Sequence, residues 1–315
     1  MILGIMLTIL AVFLLICRIC YRMAFYAPPR KPRKEEFDLP PGPVYEPYHG
    51  QMKAWVREIR SLPRERFEIT SFDGLKLSAT YYEFAPGAPM EIMFHGYRGN
   101  AERDLPGGVQ RCFACRRSAL VVDQRCAGNS EGNTISFGIN ERRDCLAWVD
   151  FAVKHFGPDV KIILTGISMG AATVLMAAGE DLPGNVMGIL ADCGYSTPKA
   201  IICKVIGQMG LPPKLCYPFV KWAAKIYGKF DLEETSPLEA MKKCRLPVIL
   251  FHGEADDFVP CYMSREVYDA CPTRKHILTV PGADHGLSYP ADPEGYLSAL
   301  RDFFGPEGSF PQENY

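Results

Sequence analysis

Gly166-Ile167-Ser168-Met169-Gly170 sets a serine between two glycines, after a short apolar run and before a stretch of small, helix-favouring residues. In that context the serine sits on a sharp strand-to-helix turn with its Oγ exposed, and the glycines let strand and helix approach without Cβ clashes. A serine hydroxyl is a weak nucleophile until a neighbouring base accepts its proton. His285 is placed for that work, in the turn-rich Pro281-Gly282-Ala283-Asp284-His285-Gly286 after the last predicted strand. The imidazole needs a carboxylate to hold its tautomer, and in the chain order Ser, Asp, His that group follows the penultimate strand. His252-Gly253-Glu254-Ala255-Asp256-Asp257-Phe258-Val259-Pro260 offers Asp256 and Asp257 there, and spacing alone leaves the choice open. The acid not used is expected to cap a helix starting near Cys261.

Acyl transfer also needs N–H donors aimed at the developing oxyanion. The backbone N–H of Met169, next after the serine, is one candidate. The other is that of Tyr97, in His95-Gly96-Tyr97-Arg98-Gly99-Asn100 after an earlier strand. His95 is expected to brace this turn. Such chemistry requires no metal and no cofactor, and none is expected. Cys112-Phe113-Ala114-Cys115 has the spacing of a redox or half-zinc motif, but a zinc site needs further ligands. The other such pair, Cys17 and Cys20, lies in the apolar N-terminal segment. Cys112 and Cys115 read as ordinary helix residues.

The elements that must position these groups follow from periodicity. Arg66–Ser71 and Leu75–Tyr82 alternate like strands around the turn-forming Asp73-Gly74. Apolar runs at Met90–Phe94, Ala119–Val122, Lys161–Thr165, Val186–Ala191, Val248–Phe251 and His276–Val280 read as buried parallel strands. Helix-length segments between them include Glu141–His155 and Ser168–Gly179. The alternation predicts an α/β domain with a mainly parallel sheet flanked by helices, with the catalytic groups at the carboxyl rim of the strands. Residues 196–242 interrupt it with two apolar helical patterns separated by Pro212-Pro213, read as a small helical cap whose apolar character favours a hydrophobic acyl or alcohol group.

Ahead of the domain, residues 1–21 are almost wholly apolar and long enough for one transmembrane helix, with Arg18 near its end able to snorkel. Met1–Leu10 lacks the basic start of a secretory signal. Arg18, Arg22, Arg30, Lys31, Arg33 and Lys34 follow the span, which places the domain in the cytoplasm. Seven prolines between residues 28 and 47 mark a stiff linker, taken as residues 22–60, with the hydrolytic domain at 61–315. Lys plus Arg at 35 against Asp plus Glu at 36 leave a net charge of −1, so no global field draws nucleic acid. The expected partners are a small acyl substrate and the membrane. Twelve scattered cysteines fit a reducing compartment better than a disulfide framework.

With these pieces in order, residues 66 to 305 resemble the α/β-hydrolase superfamily, and more closely its membrane-anchored, serine-aminopeptidase-like bacterial members. The resemblance rests on the serine pentapeptide, on Asp123-Gln124-Arg125-Cys126-Ala127-Gly128-Asn129-Ser130-Glu131-Gly132, on the His252-Gly253 loop and on Ala283-Asp284-His285. It implies the α/β-hydrolase fold and a Ser168, His285, Asp256 triad, since in that family the acid stands three residues before the valine and four before the proline. Cys126 departs from the pattern, because a glycine is usual there. Taken together, the expectation is a membrane-anchored serine hydrolase acting on an acyl ester. An aminopeptidase-like amide hydrolase and a silent binding module on the same scaffold are the competing readings.

Overall fold

The computed structural model describes residues 1–28 and 36–305. An apolar helix opens the chain, α1 (Ile2–Ala24), followed by α2 (His49–Ser61) and the hairpin β1 (Glu65–Thr70) and β2 (Lys76–Tyr82). Then come β3 (Met90–Phe94), α3 (Ala101–Asp104), α4 (Pro106–Ala114), β4 (Ser118–Asp123), α5 (Glu141–Phe156), β5 (Ile162–Ile167), α6 (Met169–Ala177) and β6 (Val186–Asp192). The chain continues through α7 (Pro198–Gln208), α8 (Pro213–Ala223), α9 (Pro237–Met241), β7 (Val248–Gly253), α10 (Tyr262–Ala270), β8 (Lys275–Val280), α11 (Ser288–Ala291) and α12 (Pro293–Phe304).

The strands form one sheet in the order β1-β2-β4-β3-β5-β6-β7-β8, in which β2 runs against both its neighbours and all pairings from β4 to β8 are parallel. The alternation of side chains along a strand feeds two cores. On β5, Ile162 and Leu164 meet α5, α6, α9 and α10, whereas Ile163 meets α12 on the opposite face. Both layers bury their apolar stripes, and parallel strands are stable only when covered this way.

The segment expected as linker up to residue 60 contains α2, which places Val56 and Ile59 in the interior. Its apolar residues Met52, Trp55, Val56 and Ile59 recur at the spacing of one helix face, which explains the docking. Pro29, Arg30, Lys31, Pro32, Arg33 and Lys34 lie outside the described residues. Three helices, α7 to α9, fill the interval between β6 and β7 where the cap was expected. α1 is long and apolar enough to cross a membrane, and only Cys17 and Tyr21 along it are buried. Its last turns join Phe25, Phe137, Tyr195 and the α7–α8 helices in one apolar cluster.

Candidate active site

Ser168 follows the carboxyl end of β5 with φ 57° and ψ −118°, a conformation a non-glycine residue adopts only under constraint. The constraint comes from both sides. Its N–H donates to Asp192 O at 2.8 Å, and α6 starts at the next residue. The flanking glycines are obligatory in space: a Cβ on Gly170 would lie 2.0 Å from Phe94 O, and one on Gly166 would lie 2.1 Å from Gly170 O.

His285, in the turn after β8, has Nε2 2.9 Å from Ser168 Oγ and Nδ1 2.7 Å from Asp256 Oδ2. A carboxylate only accepts, so Nδ1 carries the proton and Nε2 is free to accept from the serine hydroxyl. Asp256 is 4% exposed. Its Oδ1 accepts the N–H groups of Phe258 and Val259 at 2.9 and 2.7 Å. His252 stands behind it, with Nε2 donating to Val259 O at 2.7 Å and lying 3.2 Å from Asp256 Oδ2. Burial pushes this carboxyl up, but the bonds from His252, His285 and the backbone overcome burial and hold it at about 2. Asp257 is not brought to the histidine, and it does not cap α10, whose N-cap is Cys261 with no side-chain bond. The Asp257 carbonyl instead accepts from Lys204 Nζ at 2.7 Å.

Gly96 packs against the nucleophile closely enough that a Cβ there would be 3.5 Å from Ser168 Cβ, which sets Tyr97 beside the serine. Among the described residues, neither the Tyr97 nor the Met169 N–H is spent on a protein acceptor. His95 braces the turn as expected of it: Nδ1 donates to Gly96 O at 2.8 Å and Nε2 accepts the Gln124 N–H at 3.0 Å. Gln124 returns a second bond from Nε2 to His95 O at 2.6 Å. Gln124, at the start of the Asp123–Gly132 segment, therefore braces the His95–Tyr97 turn. Within that segment, Cys126 has φ 68°, the left-handed region where glycine is at home. Burial pushes its thiol up to about 12, so it is not a reactive group.

Ser168 and His285 open into a cavity of about 490 Å³. Its walls come from an unexpected quarter. Pro40, Pro41, Tyr45, Met52 and Trp55, all N-terminal to the sheet, line it together with Met93, Leu105, Ile167 and Tyr289. The helices at 198–241 contribute no lining residue, so the apolar character of that cap says nothing about the acyl group. Trp55 stacks on Tyr289 with ring centroids 5.6 Å apart. The two carboxylates on the wall are engaged: Asp104 by Arg103 Nε at 2.7 Å, and Asp192 by Ser288 Oγ at 2.8 Å and Tyr296 Oη at 3.2 Å.

Two residues that sequence reasoning passed over also touch this constellation. Cys193, at the end of β6, has its sulfur within 4.8 Å of Asp256 and His285 ligand atoms. Burial drives its thiol well up, and both partners are already tied to each other, so the trio is poorly suited to a metal ion. Arg98 ties the Tyr97 turn to the end of α1 and the residues after it, with Nη2 donating to Met23 O and Tyr26 O at 2.9 and 3.2 Å. Cys112 and Cys115 are buried and free, packed into separate apolar clusters.

No family model matches the chain. It is 26% identical to the uncharacterized protein YqkD of Bacillus subtilis over 187 residues, 59% of this chain and 61% of that protein. It is 24% identical to the uncharacterized membrane protein YNL320W of Saccharomyces cerevisiae over 194 residues, 61% of this chain and 62% of that one. The match thus spans less than two thirds of either relative. Among solved structures, the Pyrococcus furiosus esterase Pf2001 superposes with a TM-score of 0.65 at 20% identity, covering 89% of this chain and 97% of the esterase. The chain has the α/β-hydrolase fold. In that fold the nucleophile, acid and base occupy turns at the carboxyl rim, where Ser168, Asp256 and His285 stand here after β5, β7 and β8.

Proposed function

We propose that this protein is a membrane-anchored serine hydrolase that cleaves an acyl ester through Ser168, His285 and Asp256. One observation carries the reading: an unbroken hydrogen-bond chain, Asp256 Oδ2 to His285 Nδ1 at 2.7 Å and His285 Nε2 to Ser168 Oγ at 2.9 Å, ends at the wall of a cavity. His285 takes the serine proton as Oγ attacks the acyl carbon, and the N–H groups of Tyr97 and Met169 receive the oxyanion. The imidazolium, held by Asp256, returns the proton to the departing alkoxide. Water, deprotonated by the same histidine, then releases the acid from the acyl-enzyme.

The ester is preferred over an aminoacyl amide because a peptide N-terminus asks for an unpaired carboxylate, and Asp104 and Asp192 on the cavity wall are already engaged. α1 supplies the anchor, and the cations in its C-terminal turns, Arg18 and Arg22, favour a cytoplasmic domain. A fluorophosphonate probe is expected to label the wild type and not Ser168→Ala. Absence of labelling at neutral pH supports the silent-module reading instead. Side-by-side turnover of acyl esters and aminoacyl amides separates the two enzymatic readings, and turnover of amides alone removes the ester. Protease digestion of sealed vesicles of known orientation tests the side of the domain.

A further inference from the structure

The outer face of α8 continues the apolar surface of α1. Phe219 and Trp222 lie against Phe13, with ring centroids 5.8 and 6.3 Å apart. Tyr227, just beyond α8, donates from Oη to Leu14 O at 3.1 Å. Phe13 stands five positions before Arg18, about 7.5 Å deeper along the helix axis. Arg18 itself lies over the rings of Tyr21 and Tyr227 at 5.7 and 5.2 Å. Tyrosines with a cation reaching over them are what a membrane–water boundary selects. If Arg18 and Tyr227 mark that boundary, the α8 residues touching Phe13 are below it.

The rest of α8 is consistent with that depth. Leu215, Phe219 and Trp222 fall at i, i+4 and i+7, one stripe, while Tyr217, Val220 and Ala223 face the interior. Leu215 is 69% and Trp222 48% exposed, and Met209 and Leu211 are also exposed in the turn before the helix. Lys225 Nζ lies over the Trp222 ring at 5.9 Å, a cation poised beside the stripe. An apolar stripe continuous with a membrane-crossing helix has an obvious occupant in lipid.

We propose that α8 is seated in the interfacial layer of the leaflet through which α1 emerges, with Leu215 and Trp222 among the acyl chains and Lys225 at the headgroups. This rests on the reading of α1 as a span. The test uses the full chain in phosphatidylcholine vesicles, with and without bromine on the acyl chains. The chain has three tryptophans, so the emission of Trp222 is the difference between wild type and Trp222→Phe. That difference is expected to fall by roughly half or more in brominated vesicles, because a ring about 5–10 Å into the boundary is within reach of the quencher. Leu215→Trp in the Trp222→Phe background, one stripe position away, should be quenched likewise. If both positions go unquenched in protein that resists carbonate extraction, the seating of α8 is overturned while the span stands, as when a second copy covers the stripe. Protein released by carbonate overturns the span and the seating together.

Discussion

Replacing Asp256 by Asn keeps the shape of the site and removes its charge. In the wild type Oδ1 holds two backbone N–H groups and Oδ2 holds the His285 proton. An asparagine keeps its oxygen on the two backbone donors, so its NH2 must face His285 Nδ1. The imidazole is then forced into the tautomer with the proton on Nε2, which can no longer accept from Ser168. Loss of the correct tautomer costs about 10⁴ in kcat where geometry is preserved, or about 5.5 kcal/mol. Stability changes too. The folded carboxyl sits at about 2 against an ordinary 3.8, which is worth about 2 kcal/mol in favour of the folded state. Because the folded value is the lower one, that contribution is complete above about pH 4 and is lost as pH falls through 2. The assay is kcat on a chromogenic acyl ester at neutral pH, paired with denaturant unfolding at pH 7 and pH 3. Asp256→Asn is expected near background turnover, with a smaller stability difference between the two pH values than the wild type. Asp257→Asn is expected to turn over normally. An Asp256→Asn enzyme within tenfold of wild type, or a loss confined to Asp257→Asn, refutes the assignment.

Three further substitutions and modifications probe the surroundings of the site. Trp55→Ala opens the cavity beneath Tyr289 and should raise kcat/KM about tenfold for acyl chains two or more methylenes longer than the wild-type optimum, measured across a graded ester series. Arg98→Ala frees the turn that carries the Tyr97 N–H and should lower kcat about tenfold with KM little changed, the pattern of a lost transition-state contact. A merely destabilised protein would instead lose active-site titre without changing kcat per labelled serine. Cys126, with its thiol at about 12, should resist iodoacetamide in the folded enzyme at pH 8 and react after unfolding, as read by mass spectrometry.

The candidate rim site was legible because its signals are local. A strand, a Gly-X-Ser-X-Gly turn and a run of small residues fit only one backbone path, and the eight strands lie within a residue or two of their predicted positions. Asp256 and Asp257 were not separable by spacing, since adjacent loop residues differ only in which one the turn points inward. What remained hidden was long-range. The prolines before residue 48 concealed α2, although Met52, Trp55, Val56 and Ile59 carried a readable helix face. That an arm so far N-terminal to Ser168 walls its cavity is a fact of packing, with no local mark. Cys193 was invisible for the same reason. Phe219, Trp222 and Tyr227, within the apolar patterns read as a cap, meet α1 rather than the cavity.

The contact between α1 and the Tyr97–Arg98 turn ties the apolar helix to the candidate site. A helix ends with carbonyls that have no partner within it and with the negative end of its dipole. Here Ala24 O accepts from Tyr97 Oη at 2.9 Å, and Met23 O and Tyr26 O accept from the Arg98 guanidinium. Arg98 Nε also donates to Tyr97 Oη at 2.9 Å, so one network joins the end of α1 to Tyr97, whose N–H is the proposed oxyanion donor. Phe25 reinforces it, packed between Phe137 and Phe230 at 5.8 and 5.3 Å. A helix that served only as a tether would have no reason to bond the turn beside Ser168. Cutting the chain after Ala24 would take the Ala24 carbonyl from Tyr97 Oη and the Met23 carbonyl from Arg98, and would strip Tyr21 from the Phe25 side of the aromatic cluster. The candidate site is therefore braced from the end of α1, and the setting of the Tyr97–Arg98 turn depends partly on where that helix ends.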